Sequence, residues 1–157
     1  MSYSRAIRDA IIAFLKEDDW HYEMDEEREV IKMGLNLDNK LKNSRILIDL
    51  RDDKYMVYFS VPLNTDESER PEMARLLNRI NYGLMFGCFE MDEKDGEVRF
   101  RYSVDCDGAV PTSAMVRHSL YRPAMTLDKY GNAIVQVLMG VATAEEAYSL
   151  AQKKDRR

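Results

Sequence analysis

The stretch LLNRINYGLMFGCFEMDEKDGEVRFRYSVD, residues 76–105, decides the fold class of this chain. Its first residues continue an amphipathic helix, and Gly83 and Gly87 interrupt the helical pattern. Two alternating segments follow on either side of Asp95-Gly96, which is typical of a β-hairpin. A helix that leads into an antiparallel hairpin predicts a mixed helix and sheet architecture.

This hairpin has one apolar and one charged face. Large apolar residues alternate with acids in the first strand and with arginines in the second. Opposed residues lie on the same face, so the loop must hold an even number of residues. A two-residue turn at Asp95-Gly96 pairs Glu90 with Arg101, whereas a four-residue loop pairs Glu90 with Arg99. Both registers place opposite charges across the strands.

A second predicted hairpin lies upstream, where residues 45–50 and 55–61 alternate around a turn at Asp52-Asp53. The turn opposes apolar residues on one face, and the predicted pairs are Leu50–Tyr55, Ile48–Val57 and Ile46–Phe59. Residues 29–37 alternate in the same way, and residues 20–24 predict a short strand or an extended link. The chain therefore carries three or four strands before the central helix.

Helices are predicted at both ends of the chain and between the two groups of strands. Their expected bounds are residues 3–16, a helix from Pro71 that Gly87 closes, a segment from Pro111 that Pro123 ends, residues 127–139, and a last helix capped by Thr143 and Glu146. Met115 and Leu150 are expected to point inward. Grouped strands predict an α+β fold, an antiparallel β-sheet with helices packed on one face. We expect one domain over residues 1–157, with residues 153–157 frayed.

Composition narrows the classes of partner. The chain has 23 basic and 28 acidic residues and a net charge of −5. This balance argues against nucleic acid, which needs a basic surface, and weakly favours basic partners. The N-terminal helix carries charges throughout, so neither a signal peptide nor a membrane segment is predicted. We expect a cytoplasmic protein.

Reactive residues are few and scattered. His21 and His118 have no nucleophile or carboxylate beside them in the sequence, and His118 is expected to be exposed. Cys88 and Cys106 fall on opposite faces of the hairpin, which argues against a disulfide between them. No cofactor motif and no metal-ligand spacing is present. The sequence therefore predicts a protein that is not an enzyme and uses no cofactor or metal.

The face of the sheet opposite the helices is the predicted partner-binding surface. Val30, Leu47, Met56 and Tyr58 should form an apolar patch there. The expected polar rim consists of Lys32, Asn36, Arg45, Asp49 and Ser60. Such a patch within a polar rim is the general form of an interaction surface. The alternative is that the N-terminal segment or a terminal helix covers this face.

The sequence also resembles a known family. Residues 81–92 and 96–101 are similar to the central signature of the YbjN-like family, and residues 127–130, 137–140 and 145–147 are similar to its C-terminal helices. The resemblance implies a fold like that of class I type III secretion chaperones. These are small acidic α+β proteins, usually homodimers, that hold an extended client segment on an apolar surface. The family also carries the label of a bacterial sensory transduction regulator.

This chain differs from the secretion chaperones in its extra C-terminal helices after Pro123. By this comparison the helices would occupy the usual dimer or client surface of the chaperones, which argues against both dimerisation and client holding. From the residues and the resemblance together, the first hypothesis is a chaperone-like, adaptor or regulatory protein that binds a protein or peptide client, with a possible homodimer. The alternative is a small-molecule-sensing regulatory domain, with its ligand between the sheet and the C-terminal helices.

Overall fold

A computed structural model describes residues 3–154 of the chain. In order, its elements are α1 (Arg5–Glu17), β1 (Tyr22–Asp25), β2 (Val30–Asn36), β3 (Asn43–Leu50), β4 (Lys54–Ser60), a short 3₁₀ turn (Glu67–Glu69), α2 (Arg70–Tyr82), β5 (Cys88–Met91), β6 (Val98–Asp105), α3 (Ser113–Leu138) and α4 (Ala144–Lys154). The predicted α+β class is confirmed. Helix α4 continues to Lys154, and residues 155–157, most of the segment predicted to fray, lie outside the described range.

The six described strands form one antiparallel sheet in the order β1-β2-β3-β4-β6-β5. The predicted register of the β3–β4 hairpin is confirmed, with Leu50 opposite Tyr55. The β5–β6 hairpin adopts the four-residue-loop alternative, so Glu90 lies opposite Arg99. The Glu90 carboxylate lies 2.6 Å from Arg99 Nε and 3.3 Å from Arg101 Nε. One acid thus pairs with both arginines that the two alternative registers offered.

The core lies on one face of the sheet. Inward residues of the central strands are almost completely buried: Ile46, Ile48 and Leu50 of β3, and Tyr55, Val57 and Phe59 of β4, are at most 2% exposed. The apolar stripes of all four described helices join this same cluster. The sequence alternation therefore sorts the sheet into a helix-covered face and an outer face.

Helix α3 corrects the predicted break at Pro123. The helix is continuous from Ser113 to Leu138, with Pro123 in its interior. Proline removes the N–H that would bond the Ser119 carbonyl. Leu120 and Leu127, on either side of it, are fully buried in the hydrophobic core, so core packing holds both halves in one helix. Two other expectations at the helix surfaces are also wrong, because Met115 and Leu150 are 37% and 50% exposed.

The end of α2 also differs from the prediction. The helix ends at Tyr82, and Gly83 follows it with an ordinary right-handed φ of −95°. Residues 84–86 form a loop, and Gly87, with φ 72°, leads into β5 rather than closing the helix. The end of the helix and the loop carry exposed apolar side chains, since Tyr82 is 95% exposed and Met85 is 90% exposed.

A buried hydrogen-bonded pair joins the sheet to α3 beside the proline. The Tyr55 hydroxyl donates to Ser119 Oγ at 3.0 Å, and Ser119 Oγ donates to the Val116 carbonyl at 2.7 Å. Burial raises the pKa of Tyr55, so the phenol stays protonated and remains a donor. The pair places a satisfied polar contact inside an apolar layer.

We expect Ser119→Ala to destabilise the protein more than Tyr55→Phe. The first leaves a fully buried phenol without an acceptor, which costs about 2 kcal/mol. The second leaves Ser119 bonded to Val116 and costs about 1 kcal/mol. Urea unfolding followed by the fluorescence of Trp20, the single tryptophan, measures both. Equal losses would show that the Tyr55 hydroxyl finds another acceptor.

Candidate functional site

The outer face of the sheet is the surface that the described helices leave uncovered. Its positions alternate with the buried inward ones, and most of them are half-buried or exposed. Rows of outward residues cross the strands because the register is continuous from β1 to β5. One row runs Glu23, Lys32, Leu47, Tyr58, Arg101 and Cys88. Apolar residues occupy the middle of this row, and charged residues flank them.

The four predicted patch residues do not form one continuous cluster. Leu47 and Tyr58 lie directly opposite each other on β3 and β4, and both are half-buried. Val30 is 7% exposed and lies in the neighbouring row. Asp49 stands between Val30 and Met56 in that row, because it pairs with both. The apolar centre is therefore Leu47 with Tyr58, and an acid separates Met56 from Val30.

A shallow concavity of about 700 Å³ lies over this centre. It is lined by Arg28, Val30, Lys32, Met33, Arg45, Ile46, Leu47, Asp49, Tyr58, Ser60, Glu97 and Arg99. Met56 is not part of the lining. The Arg99 guanidinium carbon lies 4.2 Å from the centroid of the Tyr58 ring, so it covers part of the aromatic surface. The floor is therefore apolar, and its margin is cationic.

The charges of the lining are unequal. Four cations, Arg28, Lys32, Arg45 and Arg99, face two acids, Asp49 and Glu97. Asp49 is paired outside the lining, 2.8 Å from Arg51. Lys32 lies 2.7 Å from Asp25, and this contact lowers the pKa of that carboxyl. These pairs lie partly in solvent, so salt weakens them.

Arg45, like Arg28, is a cation of this surface whose side chain forms no ion pair with an acid among residues 3–154. Its side chain is exposed and makes no hydrogen bond or ion pair among residues 3–154. It lies on β3 opposite Ser60 and Gly34, neither of which is charged. The local excess of positive charge contrasts with the net charge of −5 for the whole chain. The expectation of a basic partner, which rested on that net charge, does not describe this surface.

Sequence reasoning missed three charged lining residues, Arg28, Glu97 and Arg99. The alternation of β6 placed Arg99 on the outer face, but the pairing of β4 with β6 was needed to bring it over Tyr58. Arg28 and Glu97 lie outside the strands, where side-chain alternation gives no information. Arg99 could have been found only from the order of the strands, because β6 lies beside β4.

Candidate catalytic residues are not gathered anywhere in the described range. His21 is exposed and His118 is half-buried rather than exposed, and neither makes a hydrogen bond or ion pair within residues 3–154. Cys88 and Cys106 are free thiols, and burial raises the pKa of Cys106. A group of three His, Cys, Asp or Glu side chains placed to hold a metal ion is not found in that range.

None of the helices within residues 3–154 is both long enough and apolar enough to cross a membrane. The longest, α3, has 26 residues, but polar and charged side chains recur along its length.

Comparisons with known proteins agree with the resemblance seen in the sequence. The YbjN family, described as "Putative bacterial sensory transduction regulator", matches residues 8–136. A solved structure, "Crystal structure of YbjN, a putative transcription regulator from E. coli", is similar with a TM-score of 0.59. The similarity covers 83% of this chain and 95% of that chain at 14% identity, which shows a shared fold. No curated protein matches the sequence. The chain belongs to the YbjN family, whose description is that of a regulator and not of an enzyme.

Proposed function

We propose that this protein is a non-catalytic regulator that binds a protein client through the outer face of its sheet. One observation carries the proposal: a concavity with an apolar floor and a cationic margin on a face that the described helices leave uncovered. Tyrosine and arginine are among the residues enriched at the energetic centre of an interface, and here the Arg99 guanidinium lies over the Tyr58 ring.

The chemistry of the concavity selects its occupant. Leu47 and Tyr58 favour apolar side chains, and the surrounding cations favour acids. The concavity spans β2, β3, β4 and β6, which at the usual strand spacing is about 14 Å. An extended segment of about four residues crosses that distance. The client is therefore an extended protein segment in which acidic side chains flank apolar ones.

Binding at a sheet edge is the less favoured mode. The edge strands β1 and β5 have four residues each, which gives an added strand few backbone partners. A ligand between the sheet and the C-terminal helices is also disfavoured. That layer is filled by fully buried side chains, among them Val57, Leu127 and Ile134.

A synthetic peptide pair tests the proposal. We expect a peptide of alternating leucine and aspartate to bind, and one of alternating leucine and lysine of equal length not to bind. Arg45→Glu and the double variant Met56→Glu, Tyr58→Glu should each weaken binding at least about tenfold, as fluorescence polarisation measures. Equal binding of both peptides would contradict the proposed charge selection.

Met85→Glu is the matched control. Met85 is 90% exposed on the loop before β5, so it carries the same change on a different apolar surface. Retained binding by Met85→Glu with lost binding by the sheet variants places the client on the sheet. The reverse pattern would move the client to that loop and overturn the sheet-face proposal. Light scattering separates a second copy from a foreign client, since a homodimer held by this face dissociates in the sheet variants.

A further inference from the structure

A groove between α3 and α4 is a second candidate binding site, and it shares no lining residue with the sheet-face concavity. Its volume is about 450 Å³, within the usual range of small-molecule sites. Its lining residues are Lys40, Lys129, Asn132, Ala133, Gln136, Ala147, Leu150, Ala151 and Lys153. Leu150, which is half exposed, is one of these lining residues.

Along α3, the groove has a lysine at one end, Lys129, and a glutamine at the other, Gln136. Lys129 and Gln136 stand seven residues apart on one face of α3, which separates them by about 10 Å along the helix. Lys40 and Lys153 also line the groove and are exposed, and no acidic residue belongs to the lining. Between the ends, Ala133, Ala147 and Ala151 form an apolar floor. The lining therefore combines positive charge with an apolar surface.

Gln136 contributes a hydrogen-bond acceptor to which no described residue donates. Its Oε1 atom is buried and has no hydrogen-bond partner within residues 3–154. A buried acceptor without a donor is costly, and most such atoms in proteins are paired. An acceptor at this position repels a carboxylate and favours a hydroxyl or N–H group. It therefore orients an amphiphile with its anionic end away from Gln136.

The walls of the groove are held in place before any ligand binds. The loop that carries Lys40 is attached to α3 by three hydrogen bonds. Asn39 Nδ2 donates to the carbonyls of Leu127 at 2.9 Å and Asp128 at 3.3 Å, and the Lys40 N–H donates to Asn132 Oδ1 at 2.9 Å. The Asn39 amide packs so closely on Gly131 that a Cβ atom there would collide with it. On the other wall, Gln152 Nε2 donates to the Tyr130 hydroxyl at 2.9 Å. A preformed site loses less entropy on binding.

We propose that this groove binds a small amphipathic carboxylate, with its anionic group among the lysines and a hydrogen-bond donor at Gln136. The apolar chain lies over the alanine floor. This proposal does not depend on the sheet-face function. It gives a regulator a separate site for a small effector.

Octanoate and ω-hydroxyoctanoate are suitable probes, with octyltrimethylammonium as the cationic control. We expect both carboxylates to shift the backbone amide signals of Ala133, Ala147 and Ala151 in two-dimensional NMR titrations, and the cation to shift none of them. Shifts on the sheet face alone, or equal binding of the cation, would overturn the proposal.

Two sets of variants test where the carboxylate and the hydroxyl group of the ligand bind. The double variant Lys40→Glu, Lys153→Glu should weaken binding of octanoate about tenfold, whereas Lys94→Glu, at an exposed lysine of the β5–β6 loop, should not change it. Gln136→Leu should abolish the preference for ω-hydroxyoctanoate over octanoate. Unchanged affinity in the double lysine variant would overturn the site, and an unchanged preference in Gln136→Leu would overturn the orientation.

Discussion

Gly96→Ala is expected to lower the free energy of unfolding by about 3 kcal/mol, because a left-handed backbone and a backbone collision act together at this position. Gly96 has φ 77°, a conformation that a residue with a Cβ atom adopts only at a cost. A Cβ atom there would overlap the Thr65 carbonyl oxygen, which belongs to the backbone and cannot rotate away. The chain must move to accept the methyl group.

The collision would open a contact between the two hairpins. The Thr65 N–H donates to the Gly96 carbonyl at 2.7 Å, and the Val61 N–H donates to the Val98 carbonyl at 2.9 Å. These bonds hold the exit of β4 against the start of β6. Glu97, which lines the sheet-face concavity, lies between them. Gly96→Ala should therefore also weaken client binding by that face.

Gly108→Ala is the matched control, since Gly108 has φ 72° but no atom within 4 Å of an added Cβ. Its loss should be about 1 kcal/mol, the cost of the left-handed backbone alone. Urea unfolding of both variants, followed by Trp20 fluorescence, gives the comparison. Similar losses would mean that the Thr65 segment moves freely, against the packing described above.

The hairpins could be predicted from the sequence because side-chain alternation is a local property. A one-residue shift would have exposed Ile48 and Val57, so the burial of one face fixes the register of β3 with β4. For β5 with β6, alternation excluded odd loops but left two even ones. The structure selects the loop in which Glu90 reaches both Arg99 and Arg101.

What the sequence could not predict depends on contacts between distant segments. Pro123 is a local signal for a helix end, and the burial of Leu120 and Leu127 in the core outweighs it. The cationic margin of the concavity depends on β6 lying beside β4, an order that no local pattern specifies. A net charge is a sum over the whole surface, so it could not show that one concavity is locally basic.

Phe100→Ala should have the largest effect on stability, a loss of about 4 kcal/mol. Phe100 is fully buried on β6, where it packs edge-on against Phe89 with ring centroids 4.9 Å apart. Its ring also lies against Gly87, the residue that leads the chain into β5. Truncation removes the transfer free energy of the ring and leaves a cavity that these neighbours fill only in part. The loss is a large fraction of the stability of an ordinary domain, about 5–15 kcal/mol.

Phe86→Ala separates this packing effect from the loss of a phenyl ring as such. Phe86 is 50% exposed on the loop before β5, where the Arg122 guanidinium lies 3.8 Å from its ring centroid. Its truncation removes one exposed cation–π contact and should cost about 1 kcal/mol. Urea denaturation of both variants measures the two losses of unfolding free energy. A loss in Phe100→Ala no greater than that in Phe86→Ala would mean that the packing of Phe100 against Phe89 does not hold β5 to β6. The edge strand β5, which carries Glu90, would then not depend on this core contact.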